Sequence, residues 1–218
     1  MNDSMNICLV IPIKSLDRVK SRLSGEIEDK FRIGLSLAML DHVIKTGIKS
    51  EKFEDILVVG GDTFISDLCD RAQCSWISQP EGIIGLNKTI DVMVKRTVMQ
   101  QFEGLLYLPA DLPELQKSDL EGILQLTQFG KSFVISPDRH GRGTNALYIP
   151  KNSNFKCQLG EDSFLKHHNQ LQLMGEKFNI YKNHGIGFDI DNFEDLNLLI
   201  SNNPNWQNLI EEYSNRYN

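Results

Sequence analysis

Three acidic residues close short apolar runs in this chain. Asp111 lies in Pro109-Ala110-Asp111-Leu112-Pro113, and Asp189 and Asp191 lie in Gly187-Phe188-Asp189-Ile190-Asp191. A strand puts side chains i and i+2 on one face, so Asp189 and Asp191 at a strand end point the same way. Carboxylates held side by side repel unless a cation sits between them. Hard oxygen ligands in so small a set suit Mg2+, which keeps waters and recruits phosphate oxygens. Asp111, Asp189 and Asp191 are therefore read as a Mg2+ site in an enzyme acting on phosphates. The alternative for Asp191 is a cap on the helix that starts at Asn192 or Phe193.

Cations stand beside these acids. Lys14, Arg18, Lys20 and Arg22 fall within nine residues just after the first apolar run, a cradle for a triphosphate or a leaving pyrophosphate. The alternative is a solvated loop face. The G-x-x-x-x-G-K-[ST] spacing is missing, so a P-loop is not supported. In Pro137-Asp138-Arg139-His140-Gly141-Arg142-Gly143-Thr144-Asn145, glycines let backbone N–H groups approach an anion and Thr144 adds a hydroxyl. A plain hairpin connection is the competing reading. Ser163 opens a helix after Gly160-Glu161-Asp162, where free N–H groups attract anions or where Asp162 or Ser163 caps. Asn87 opens another helix and either reads a base or sugar or caps. His167 is expected to pack near the site and His168 at the surface. No H-x-x-x-H spacing indicates zinc, and no G-x-S-x-G elbow indicates a serine hydrolase.

The elements that must position these residues alternate. Ile7 to Ile13 reads as a first central strand buried on both faces. A helix follows over Glu26 to Thr46 with Gly47 as its stop. Next come a strand over Ile56 to Val59, a helix over Thr63 to Arg71 with Thr63 as cap, a strand over Ser75 to Ser78, and a helix over Leu86 to Phe102 carrying Ile90, Met93, Val94 and Thr97 on one stripe. Leu105 to Leu108 is a strand. Ser118 to Phe129 is a helix with Ser118 and Glu121 as capping box. Strands over Phe133 to Ser136 and Asn145 to Ile149 bracket the Gly/Arg loop. A helix from Asp162 to Met174, strands over Phe178 to Tyr181 and Gly187 to Ile190, and helices from Asn192 and Pro204 complete the chain. Asn202 to Asn208 is a polar turn. Alternation of this kind means a single α/β domain over 1–218, a three-layer sandwich around a mainly parallel sheet. Ligands gather beyond the carboxyl ends of such strands, where strand order switches.

Composition narrows the function classes. A 40% hydrophobic and 24% charged chain is ordinary for a globular protein and excludes disorder. Net charge of -6 gives no general footprint for nucleic acid or anionic membrane. Cys8, Cys69, Cys74 and Cys157 form no C-x-x-C pair and suit a reducing compartment. The first apolar run is too short for a signal or membrane segment, so a cytoplasmic protein is expected, with a homodimer as the base-rate assembly.

At these residues the chain resembles the 2-phospho-L-lactate guanylyltransferase family. The segments carrying the resemblance are Ile11-Pro12-Ile13-Lys14 with Lys20-Ser21-Arg22-Leu23, Gly85-Leu86-Asn87, the Asp111 motif, the stretch from Pro137 to Leu147, Ser163-Phe164 with His167, and Asp189-Ile190-Asp191. The resemblance implies a Rossmann-like nucleotide-diphosphate-sugar transferase fold. It also implies condensation of GTP with 2-phospho-L-lactate to lactyl-2-diphospho-5'-guanosine and pyrophosphate, in making the deazaflavin coenzyme F420. Relatives use phosphoenolpyruvate or 3-phosphoglycerate. Thr144, Gly160 and Ser163, with Arg139 and Asn145, would hold the phosphorylated acid, and Pro12, Lys14, Asn87 and Asp111 the nucleotide. Lys14, Lys20 and Arg22 would serve the leaving pyrophosphate, and Asp189 and Asp191 match the metal pair. Where the family reads Phe-Gly-Pro-Gly-Ser-Phe, this chain has Leu159-Gly160-Glu161-Asp162-Ser163-Phe164, which adds two acids beside an anionic substrate. Transfer to a sugar phosphate and a non-catalytic nucleotide sensor are the other readings kept open.

Overall fold

A computed structural model describes residues 5–83, 85–99 and 102–217. Seven strands form one sheet in the order β3-β2-β1-β4-β6-β5-β7. They span β1 (Ile7–Ile13), β2 (Asp55–Gly60), β3 (Ser75–Ile77), β4 (Gly104–Tyr107), β5 (Phe133–Pro137), β6 (Thr144–Pro150) and β7 (Phe178–Ile180). Pairing is parallel except where β6 runs against both β4 and β5. The helices are α1 (Asp29–Ser50), α2 (Thr63–Ala72), α3 (Leu86–Met99), α4 (Lys117–Leu126), α5 (Ser163–Met174), α6 (His184–Gly187), α7 (Phe193–Asn202) and α8 (Asn205–Arg216).

The period of two in a strand sorts the core into two layers. Ile7, Leu9 and Ile11 of β1 join Ile56 and Val58 of β2 and Leu106 of β4 under α1, α2, α4, α7 and α8. Their neighbours Cys8, Val10, Leu57, Val59, Leu105 and Tyr107 face the other way, under α3 and α5. Burial on both faces is why these runs are continuously apolar rather than alternating.

The chain leaves β1 toward β2 on one side and later returns to β4 on the other, so the switch in strand order lies between β1 and β4. Because β6 is antiparallel, its first residue, Thr144, lies at the same end of the sheet as the exits of β1, β4 and β5. The hairpin loop between β5 and β6 thus overhangs the switch point.

Several expected boundaries move, each for a local reason. Gly47 lies inside α1 and does not stop it: a Cβ there would stand 2.8 Å from Leu9 Cδ2, so the glycine lets the helix approach β1. The stop is Glu51, in the left-handed region at φ 56°. Asp62, not Thr63, caps α2 by accepting from Phe64 N at 3.1 Å. Gln116 and Asp119 form the capping box of α4 in place of Ser118 and Glu121. The capping choice at Asp191 resolves to Asn192, which caps α7 in a box with Asp195. The expected strand over Gly187 to Ile190 is instead α6 followed by a segment outside the sheet, because the Asn183 side chain accepts from His184 N at 2.7 Å and starts a helical turn. That segment is joined to the β4 exit by Ile190 N donating to Asp111 O at 3.4 Å. The last residues of the helix expected to reach Phe102, and the side chain of Thr97, lie outside what is described. Among the described residues no helix is long and apolar enough to cross a membrane.

Candidate active site

A cleft of about 1610 Å3 opens at the carboxyl ends of β1 and β4, with the start of β6 on its far wall. Pro12 and Lys14 enter it from β1, Asp111 from β4, Thr144 and Asn145 from β6, and Gly160 and Ser163 from the turn before α5. Residues far apart in the chain converge because three elements end at one rim.

Lys20 is the center of the acidic side. Its backbone is left-handed, φ 46°, and this kink ahead of a short 3-10 turn directs its ammonium onto the Asp111 carboxylate and the Ile190 carbonyl oxygen. Lys20 therefore ties the β4 exit to the 188–191 segment, and its side chain is 12% exposed. Arg22 Nη1 reaches Asp191 Oδ2 at 3.3 Å in a solvent-exposed pair. Arg18 lies farther out, against Asp17 at 3.7 Å.

Asp189 is half-buried and receives Asn145 Nδ2 on Oδ1 at 3.1 Å. Its pKa is pushed up to about 6, first by burial and then by the Asp111 charge, with the Asn145 hydrogen bond and Lys20 opposing. Ile190 N donates to Asp111 O and Lys20 bonds both the Asp111 carboxylate and the Ile190 carbonyl, so the segment carrying Asp189 stands against Asp111, as the sequence reading required. Among the described residues no three acidic, His or Cys side chains stand arranged as ready metal ligands. Asp111, Asp189 and Asp191 each meet a protein donor: Lys20, Asn145 and Arg22.

The anion-binding reading of the 137–145 loop needs correction. Its N–H groups are turned on the chain's own carboxylate: Arg142 N and Gly143 N donate to Asp138 Oδ1 and Oδ2, each at 2.8 Å. A Cβ on Gly143 would stand 2.8 Å from Asp138 Oδ2, so a glycine is needed for this closure. Arg142 itself reaches out to Asp162 at 3.0 Å and Glu161 at 3.5 Å. The two acids that depart from the family pattern are thus paired at the cleft mouth, and Arg142 O accepts from Phe164 N at 3.0 Å, pinning the start of α5 to the loop.

Two expected contact residues face elsewhere. Arg139 points away from the large cleft into an ion pair with buried Asp195, its guanidinium 4.8 Å above the Phe188 ring. Asn87 uses its amide on the backbone of one residue, accepting from Leu159 N at 2.6 Å and donating to Leu159 O at 3.1 Å. Neither side chain lines the large cleft.

Asp195 was missed by sequence reasoning. Its Oδ2 accepts from Asp191 N at 2.8 Å and Asn192 N at 3.2 Å while Oδ1 takes Arg139, so one carboxylate fixes the carboxyl end of the acidic segment. The Asn192-x-x-Asp195 capping spacing was the signal available. Also missed was Gln79, whose amide ties Ile83 O and Thr89 Oγ1 at 2.9 and 2.7 Å along the cleft wall.

A family model described as "Guanylyl transferase CofC like" matches residues 7–208. Similar proteins include a phosphoenolpyruvate guanylyltransferase of Rubrobacter xylanophilus, 31% identical over 88% of this chain and 92% of the relative. A 2-phospho-L-lactate guanylyltransferase of Methanocaldococcus jannaschii is 30% identical over 90% of this chain and 83% of its own length. Among solved structures, a protein of Desulfovibrio desulfuricans G20 described as a candidate nucleotide-diphospho-sugar transferase superposes with a TM-score of 0.75 at 14% identity, over 96% of this chain and 98% of that one. At that identity the superposition establishes the fold, the one the resemblance implied.

Proposed function

The chain belongs to the CofC-like guanylyl transferase family, and from that premise we propose that it transfers GMP from GTP to the phosphate of a small three-carbon phosphorylated acid. 2-Phospho-L-lactate, the expected acceptor, phosphoenolpyruvate and 3-phospho-D-glycerate are the three that the relatives' names support. The observation that carries the reading is the meeting of Asp111, Asp189 and Lys20 at the sheet's switch point. A volume of about 1610 Å3 exceeds the roughly 300–1,000 Å3 of an ordinary small-molecule site and accommodates two substrates.

An oxygen of the acceptor phosphate attacks the α-phosphorus of GTP. A new P–O bond forms, the bridging P–O bond to the β-phosphate breaks, and its electron pair leaves on pyrophosphate. No side-chain base is required, because a phosphate dianion is already nucleophilic at neutral pH. Lys14, Lys20 and Arg22 neutralise the departing pyrophosphate, and Thr144, Ser163 and the Gly160 turn hold the acceptor. The oxygen-only donor set suits a hard divalent cation, so Asp111, Asp189 and Asp191 would hold Mg2+. When bound, the ion supplies charge stabilisation to the phosphoryl oxygens. Arg139 and Asn87 support the site from behind, the first through Asp195 and the second through Leu159.

The test is pyrophosphate release from GTP, CTP and ATP, each with 2-phospho-L-lactate, phosphoenolpyruvate, 3-phosphoglycerate and a sugar phosphate, with Mg2+ and with chelator. Release with GTP and a three-carbon acid, lost on chelation, is expected. GTP binding without release in any combination would leave the sensor reading and end this one.

A further inference from the structure

We propose that His167 is a positioning residue that compels the Thr144 hydroxyl to donate its proton into the cleft, toward an anionic oxygen of the acceptor. The inference rests on the acceptor site proposed above and adds how that site is wired.

His167 is fully buried on α5, its ring 5.4 Å from that of Phe155. Its Nε2 lies 2.9 Å from Gln158 N. A backbone amide can only donate, so Nε2 must present its lone pair. A neutral imidazole carries one N–H, which then has to be on Nδ1. Nδ1 stands 3.0 Å from Thr144 Oγ1, so the ring donates and the hydroxyl accepts. The charged ring would aim a second N–H at the Gln158 amide. Burial also works against it, holding the His167 pKa down to about 4.

With its oxygen accepting from His167, the Thr144 hydroxyl still has one proton to place. Among the described residues, His167 is the one group bonded to this hydroxyl, and Thr144 lines the cleft. A threonine free to rotate can accept as readily as donate and is indifferent to the charge of its partner. Fixed in this way its proton is directed away from the ring, and a donated proton favours an anionic oxygen. The opposite nitrogen of the same ring holds Gln158, two residues before Gly160, so one side chain sets both the hydroxyl and the turn beside it. The device uses none of the acids in the metal assignment.

Long-range proton–nitrogen NMR on histidine-labelled wild-type protein reads the tautomer directly, with His167 assigned by its loss in His167→Gln or, if that variant does not fold, by removing His42, His140, His168 and His184 in turn. An Nδ1–H ring is expected; an Nε2–H ring, the form commoner in free histidine, overturns the proposal. In kinetics, Thr144→Val should raise KM for the acceptor about tenfold or more, the loss of a hydrogen bond to a charged group, with KM for GTP within about twofold. Thr144→Ser should restore it. An acceptor KM unchanged in Thr144→Val also overturns the proposal. If no acceptor supports pyrophosphate release, it is the guanylyl transfer reading that fails, and the tautomer still decides for or against His167.

Discussion

Asn145 donates from Nδ2 to Asp189 Oδ1 across 3.1 Å, and this bond works against the burial and neighbouring charge that raise the Asp189 pKa to about 6. The ionised form of Asp189 is the one that can bind a cation, so the acid limb of activity should follow it. Asn145→Leu removes the donor, and the acid limb of pyrophosphate release should move to higher pH. Asn145→Asp adds a like charge and should move it farther. A limb that stays in place in both variants would detach Asp189 from the activity.

The same raised pKa has a stability consequence of definite sign. Folding lifts Asp189 from its ordinary 3.8 to about 6, so the native state holds the proton more tightly than the unfolded one. Stability from this group is therefore greatest below about pH 4 and is lost as pH rises toward 6. Asp189→Asn should be more stable than wild type at pH 8 by about 1–2 kcal/mol, allowing for partial exposure, and inactive. Urea unfolding at pH 8 and pH 4 checks this: the gain should shrink toward nothing at the lower pH, and an equal gain at both refutes it.

Lys20 bonds both Asp111 and the Ile190 carbonyl with its side chain mostly buried. Lys20→Met should destabilise the protein by about 2 kcal/mol by leaving a carboxylate facing its neighbours. Combined with Asp111→Asn, the loss should be less than additive by about 1 kcal/mol. Additive losses in denaturant titrations would mean that the pair is not energetically coupled.

Arg139 separates two roles. As a substrate ligand, its removal would raise acceptor KM. As the partner of Asp195, its removal leaves an uncompensated buried carboxylate and loosens the backbone at Asp191. Arg139→Ala should therefore lower stability by about 3 kcal/mol and reduce kcat while acceptor KM changes less than about twofold. A selective rise in KM would restore the substrate role.

Much of the fold was readable because strands buried on both faces are unbroken apolar runs, as in Ile7–Ile11 and Ile56–Val59, and because amphipathic helices alternate with them. Strand ends failed where side chains decide: the Asn183 cap turns the approach to Phe188 helical although its apolar content suits a strand. The acids were legible as spacing. Their fastening was not, because Lys20 reaches partners 91 and 170 positions away and does so through a left-handed residue that no local pattern demands. Asp138 shows the converse. A loop whose glycines suggest an outside anion is satisfied from within, since the Asp138 carboxylate takes the N–H groups four and five residues on.

The reversal at β6 divides the labour of the site between separately editable pieces. Under the proposed transfer, the nucleotide-side groups hang from the parallel strands β1 and β4, whereas those assigned to the phosphorylated acid ride on a hairpin and the helix start it grips. On that proposal, changes in the hairpin would trade one small acid for another without disturbing how the nucleotide is seated.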